Sequence, residues 1–297
     1  MKRRTFLFET SLFAFSIGIA GKIRWDGKSY VGLEPTTTDI LGPYYRPGAP
    51  FKTDLVQAGT NGELMHFSGT IFDKTGKTPV KDALVEIWHC NEHGVYDNTS
   101  DEYVYRAAAR TGKDGKYHFR TIMPVPYSVS NTATRPAHIH MRISGTGEQD
   151  LVTQIYFKGD KHIPEDSSAS DPRSLNRILD MSRNDKNEIM VAFDIILQDS
   201  YQLDAASFKK IEGLYQMSDK SMVSFYRDGD DLFAKINGQI MEAMEYRGDN
   251  SFEGGLGQTK ARFVFGTDGT VKTVITYLDD NNKPVNIEGD KILKYPG

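Results

Sequence analysis

Between Leu33 and about Ser200 the chain advances in short runs of β-branched and aromatic residues, each closed by turn residues, with few helical periods to compete. The runs are HFSGTIF (66–72), ALVEIWHC (83–90), GKYHFRTI (115–122), AHIHMRIS (137–144), LVTQIYF (151–157) and IMVAFDIIL (189–197). Strands at this spacing bury their apolar faces by packing one sheet on another, which predicts a β-sandwich over 33–200. Asp73-Lys74-Thr75-Gly76 and Lys113-Asp114-Gly115 supply the turns, with Asp and Gly where positive φ is needed. One short helix is expected over 171–180, capped by Ser170 or Asp171 with Pro172 in its first turn. The stretch around it, 161–187, reads as surface connection.

The pattern restarts at Ala205. A brief helical stretch, 205–211, precedes apolar runs at 214–217, 222–226, 232–236, 239–246, 261–265 and 271–278. Asp228-Gly229, Asn237-Gly238 and Asp268-Gly269 lie between them as hairpin signals. The segment 205–297 is thus expected to be an accessory all-β domain, a meander or small barrel. It contains no histidine and no cysteine, so no transition-metal site is expected in it.

Residues 1–20 read MKRRTFLFETSLFAFSIGIA, a basic start followed by an apolar stretch too short to span a bilayer. Arg3 and Arg4 followed by Phe6 and Leu7 are similar to a twin-arginine export signal, and Gly18 and Ala20 permit cleavage before Gly21. The expected location is periplasmic or extracellular, with no integral membrane span in the mature protein. Removal of Lys2, Arg3, Arg4 and Glu9 takes the formal charge from -4 to -6, with 33 basic and 39 acidic groups left. Such a surface has no basic field with which to gather nucleic acid. The single cysteine, Cys90, excludes an internal disulfide and any zinc site needing two thiolates. A metal here must take nitrogen or oxygen ligands.

Arg135-Pro136-Ala137-His138-Ile139-His140 carries the chemistry. Side chains alternate along a strand, so His138 and His140 project from one face, roughly 6.5–7 Å apart along the backbone. Ile139, Met141 and Ile143 form the opposite, buried face. A carboxylate three or four residues beyond His140 would suggest Fe(II) or zinc, but Ile143 and Ser144 stand there and Glu148 is too far along. Tyrosines are near instead: Tyr96 in Gly94-Val95-Tyr96-Asp97 follows the strand ending at Trp88, and Tyr127 closes Met123-Pro124-Val125-Pro126-Tyr127.

The runs GPYY (42–45), ALVEIWHCNEHGVYD (83–97), DGKYHFRTIMPVPY (114–127), RPAHIH (135–140) and LVTQIYFKGD (151–160) together resemble the intradiol ring-cleavage dioxygenases. The likeness is closer to the protocatechuate 3,4-dioxygenase branch, because the longer helical amino-terminal region of catechol 1,2-dioxygenases is missing. The resemblance implies a non-haem Fe(III) held by Tyr96, Tyr127, His138 and His140, with Arg135 and Gln154 as catalytic residues. The donor types agree with it, since Fe(III) is a hard cation and only a strong Lewis acid keeps phenols of ordinary pKa about 10 ionised at neutral pH.

The implied partners are a catechol-type diol and O2, and the implied product is a muconate-type diacid. A homo-oligomer is compatible with the sequence. Ser128-Val129 after Tyr127 and a short connection to Arg135 depart from the protocatechuate pattern and alter the pocket wall. The carboxy-terminal unit is outside the usual family core. The rival from another class is a non-catalytic protein binding an aromatic or envelope polymer on a degenerate dioxygenase sandwich. A third reading is a zinc or Fe(II) enzyme using the two histidines alone.

Overall fold

The computed structural model describes residues 35–201, 203–279 and 283–293, and the backbone of an amino-terminal hairpin pairing Ile23–Trp25 with Tyr30–Gly32. The expected export segment, 1–20, lies outside the described residues.

Two five-stranded sheets form the sandwich. One runs Ile178–Leu179, Leu151–Phe157, His138–Ser144, Leu84–Trp88, Arg106–Arg110 in spatial order. The other centres on Leu64–Phe72, which pairs with Lys116–Ile122 on one side and with Ile189–Ala192 and Ile195–Ile196 on the other. Phe67, Ile71, Val85, Ile87, Phe119, Ile139, Met141 and Ile143 fill the space between the sheets, as the alternation demands.

Four sequence expectations change. The single strand expected at 189–197 is split, because the Phe193 carbonyl turns in to accept from Tyr117 Oη at 2.7 Å. A Cβ on Gly69 would lie 1.8 Å from that oxygen, so only glycine permits the approach. Arg106–Arg110 is a strand although its Ala-Ala-Ala centre carries little strand propensity; Ala107, Ala108 and Ala109 are buried, and tertiary packing decides. The helix expected at 171–180 is a 3-10 turn, Pro172–Arg177, whose Asp171 cap accepts from the Arg173 amide at 2.8 Å. Within 161–187, expected as surface connection, Asp166, Ser168, Ser174 and Arg177 are nevertheless buried.

The carboxy-terminal unit is a closed eight-stranded barrel, Gly213–Met217 through Pro284–Leu293, in which the last strand pairs with the first. Ser251–Gly254 and Pro284–Leu293 are strands that the apolar runs did not announce. Tyr215, Phe225, Phe252 and Phe263 meet in edge-to-face pairs at its centre. The helix Ala205–Ile211, as expected, is capped by Asp204 and adds Phe208 and Ile211 to that core. Barrel and sandwich share a further apolar cluster, in which Phe233, Ile240 and Ala243 meet Leu41, Tyr45, Trp88 and Val152. That contact covers the outer face of the sandwich sheet, so His138–Ser144 is buried on both faces rather than one.

Candidate metal centre and active site

His138 and His140 project from the same side of their strand, with ring centroids 4.9 Å apart. The His138 Nδ1–H donates to the Pro136 carbonyl at 2.6 Å, which fixes the tautomer and leaves Nε2 as an acceptor. Into that lone pair the Tyr96 hydroxyl donates at 3.2 Å. Tyr127 stands 5.6 Å from both the Tyr96 and the His138 rings. It reaches the site through a two-residue ladder, Tyr127–Ser128 with Thr134–Arg135, which makes Tyr127 and Arg135 direct cross-strand neighbours. Four donors from three separate stretches of chain therefore converge.

His140 is held differently. Trp88 stacks on it at 5.0 Å with 5° between the planes. Gly42, at φ +73°, sits so close that a Cβ there would be 3.1 Å from His140 Cε1. Neither ring nitrogen of His140 has a hydrogen-bond partner, although both are buried.

Burial sets the protonation of the donors. It pushes His138 down to about 3, with the Arg135 charge adding to it, and holds His140 well below the ordinary imidazole range. Burial pushes the Tyr127 phenol up to about 12 and holds Tyr96 well above the ordinary phenol range, the latter aided by Tyr127 beside it. Both imidazoles are thus neutral ligands at any moderate pH, whereas the phenols ionise only beside a strong cation. Two orphaned imidazole nitrogens, an acceptor nitrogen and two phenol oxygens in one buried cluster fit a hard trivalent metal. Among the described residues no group of three or more His, Cys, Asp and Glu is arranged to hold a metal, so no carboxylate completes the histidine pair.

A cleft of about 370 Å³ opens onto this cluster, lined by Ile40, Pro43, Tyr44, Tyr127, Arg135 and Asp166 among others, and that volume is ample for a small aromatic ligand. Burial works against the charge on Arg135, but Tyr156 and Asp166 outweigh it and keep the guanidinium protonated. Gln154 is fully buried: its Oε1 accepts from Arg135 at 3.1 Å and from Tyr156 at 3.2 Å, and its Nε2 donates to the Ile40 carbonyl at 2.6 Å. In this state Gln154 orients Arg135 and does not line the cleft.

The sequence reading gave no role to several residues that shape the site. Tyr44 stacks on Tyr96 at 4.2 Å and lines the cleft; Asp166 pairs with Arg135; Tyr156 and Arg177 both bind Asp39 beneath Gln154. Tyr44 and Gly42 lay within the GPYY run, so a signal existed for them. For Asp166 none did, because Asp-Ser-Ser reads as a turn wherever it occurs.

Residues 40–199 match a family model described as Dioxygenase. A chlorocatechol 1,2-dioxygenase of Rhodococcus opacus is 32% identical over 199 residues, 58% of this chain and 76% of that protein. Catechol 1,2-dioxygenase 2 of Acinetobacter lwoffii is 36% identical over 161 residues, 48% of this chain and 58% of its own length. Among solved structures, catechol 1,2-dioxygenase from Pseudomonas arvilla C-1 superposes with a TM-score of 0.51 at 29% identity, over 58% of this chain and 64% of that one. The family match ends at residue 199, before the helix and barrel begin.

Proposed function

The chain belongs to the intradiol ring-cleavage dioxygenase family, and on that premise we propose that it opens a catechol-type ring with O2 to give a muconate-type diacid, using a non-haem Fe(III) held by Tyr96, Tyr127, His138 and His140. The observation that carries the reading is the convergence of two phenols and two neutral imidazoles at a cleft of about 370 Å³. When bound, the iron supplies the Lewis-acid and redox character that lets a catecholate react with O2.

The protein's own groups do the rest. Tyr127 is the donor on the cleft wall; held as a tyrosinate by the iron, its Oη would accept a proton from an incoming diol. Tyr96, stacked under Tyr44 and buried, stays in place as a fixed donor. Arg135, permanently charged and clamped by Asp166, stabilises negative charge that develops on the ring. Gln154 holds the second side of that guanidinium. Ring packing buries Tyr96, His138 and His140, while Tyr127 faces the cleft. The polymer-binding alternative draws no support from relatives named for catechol ring cleavage.

The test is reconstitution with ferric iron, followed by visible spectroscopy and O2 uptake on catechol, protocatechuate, hydroxyquinol and chlorocatechols. A tyrosinate-to-iron absorption band that is lost or shifted in Tyr96→Phe, with uptake on at least one diol, is expected. A folded protein holding stoichiometric ferric iron without such a band, or without uptake on any of the four, overturns the proposal.

A further inference from the structure

We propose that the carboxy-terminal barrel positions the His140 imidazole through a stack of rings that crosses between the two units: Phe233, Tyr45, Trp88, His140. The inference rests on the reading of His140 as a metal ligand.

A metal-binding histidine is ordinarily aimed by a hydrogen bond from its other ring nitrogen. His138 has one, to the Pro136 carbonyl, and His140 has none. Its orientation therefore comes from packing: Trp88 on one face, Gly42 at the edge, and the His138 and Tyr96 rings edge-on at 4.9 and 6.0 Å. Trp88 is in the same position, since its indole Nε1 also lacks a partner. It is braced by the Tyr45 ring at 5.0 Å. Tyr45 in turn meets Phe233 of the barrel at 5.7 Å. Its hydroxyl donates to Glu86 at 3.3 Å and accepts from Arg142 at 3.1 Å.

Phe233 is placed for this task rather than for the barrel's own fold. Its neighbours on the Asp231–Ile236 strand, Leu232 and Ala234, belong to the barrel core. Phe233 points the opposite way, out of the barrel, and is fully buried because the sandwich covers it. A second tie runs in parallel. Arg142, two residues beyond His140 on the same face of the strand, lies 4.9 Å above the Phe233 ring and donates to the Asp228 carboxylate at 2.9 Å and carbonyl at 3.0 Å. The barrel thus grips the histidine strand both by ring stacking and through its backbone neighbour.

The experiment uses the full chain. Phe233→Ala should keep the barrel folded yet weaken ferric iron retention roughly ten-fold, the low end of what loss of an orienting partner costs, and shift the visible band. Phe233→Leu, which keeps apolar volume but no ring, should shift it less and in the same direction. Val271→Ala, a truncation inside the barrel core, is the control and should leave band and affinity unchanged. In the metal-free protein carrying Trp25→Phe, emission from Trp88, then the sole tryptophan, should change with Phe233→Ala and not with Val271→Ala.

Wild-type band, affinity and Trp88 emission in a folded Phe233→Ala variant would overturn the inference, as would an equal shift in Val271→Ala. Should Phe233→Ala not fold, Phe233→Leu decides by the same readouts. An iron-loaded wild type without a visible band is a failure of the proposed function instead, and Trp88 emission still decides whether the barrel sets this stack.

Discussion

Arg135 Nε donates to Asp166 Oδ2 at 2.9 Å, joining the hairpin that carries Tyr127 to a segment more than thirty residues away that the sequence reads as mere connection. Both side chains are largely buried, and the pair walls the cleft. Arg135→Ala should retain iron and its colour while losing two to three orders of magnitude in turnover, because the variant removes the positive charge at the cleft and leaves all four proposed ligands in place. Asp166→Asn leaves the guanidinium present but loosely aimed, and should cost roughly ten- to hundred-fold in kcat. Steady-state O2 uptake at equal iron content checks both, and a fully active Arg135→Ala would refute the role given to it.

A chain ending at Ser200 keeps every proposed ligand, and read from sequence alone it should be an active enzyme. The structure argues otherwise. Cutting there removes Phe233 and Asp228 and uncovers Leu41, Tyr45 and Val152, a contiguous apolar face beside the metal centre. The expected outcome is poor solubility and several-fold lower iron content than the full chain at equal protein, measured by yield after gel filtration and by metal analysis. A soluble, iron-loaded and active truncation would show that the barrel contact is dispensable.

The interface also predicts a dependence on pH. Glu245 on the barrel is buried against Gln198 of the sandwich, with Oε1 unpartnered, and burial pushes its carboxyl up to about 7 in spite of the Arg247 charge. Since the folded chain holds this proton more tightly than the unfolded chain, stability from this group falls as pH rises from 4.5 to about 7 and is level above that. The effect is on the order of 3 kcal/mol. Glu245→Gln should remove it, so that Tm declines less between pH 5 and pH 8 than in the parent. Thermal melts at the two values decide, and an unchanged decline would place the titration elsewhere.

Export is proposed from Arg3 and Arg4 followed by Phe6 and Leu7, the short apolar stretch, and Gly18 and Ala20. Replacing both with lysine keeps the charge but removes the side chains that a twin-arginine pathway distinguishes. The precursor should then remain in the cytoplasm, followed by cell fractionation. Unaltered export would point to the general secretory route.

Much was legible from local pattern. The period of two in HIHMRIS placed both histidines on one face and Ile139, Met141 and Ile143 on the other, and the hairpin dipeptides announced most of the barrel strands. These are properties of a few adjacent residues, governed by backbone geometry that does not wait for the rest of the fold. Likeness to a family supplied what pattern could not, namely which two of fifteen tyrosines belong beside the histidines.

Tertiary structure alone decided the surroundings of those residues. Asp166 clamps Arg135, Tyr44 covers Tyr96, Gly69 admits a carbonyl that breaks a strand, and Phe233 braces a site formed some ninety residues earlier. Each of these depends on where distant segments pack, and no residue within reach along the chain encodes the distance. Sequence alone determined that His138 and His140 share one face of a strand, and likeness to a family added the two tyrosines. Packing between the two units determined how one of them, His140, is aimed, because a ring with no hydrogen bond takes its direction from whatever is pressed against it.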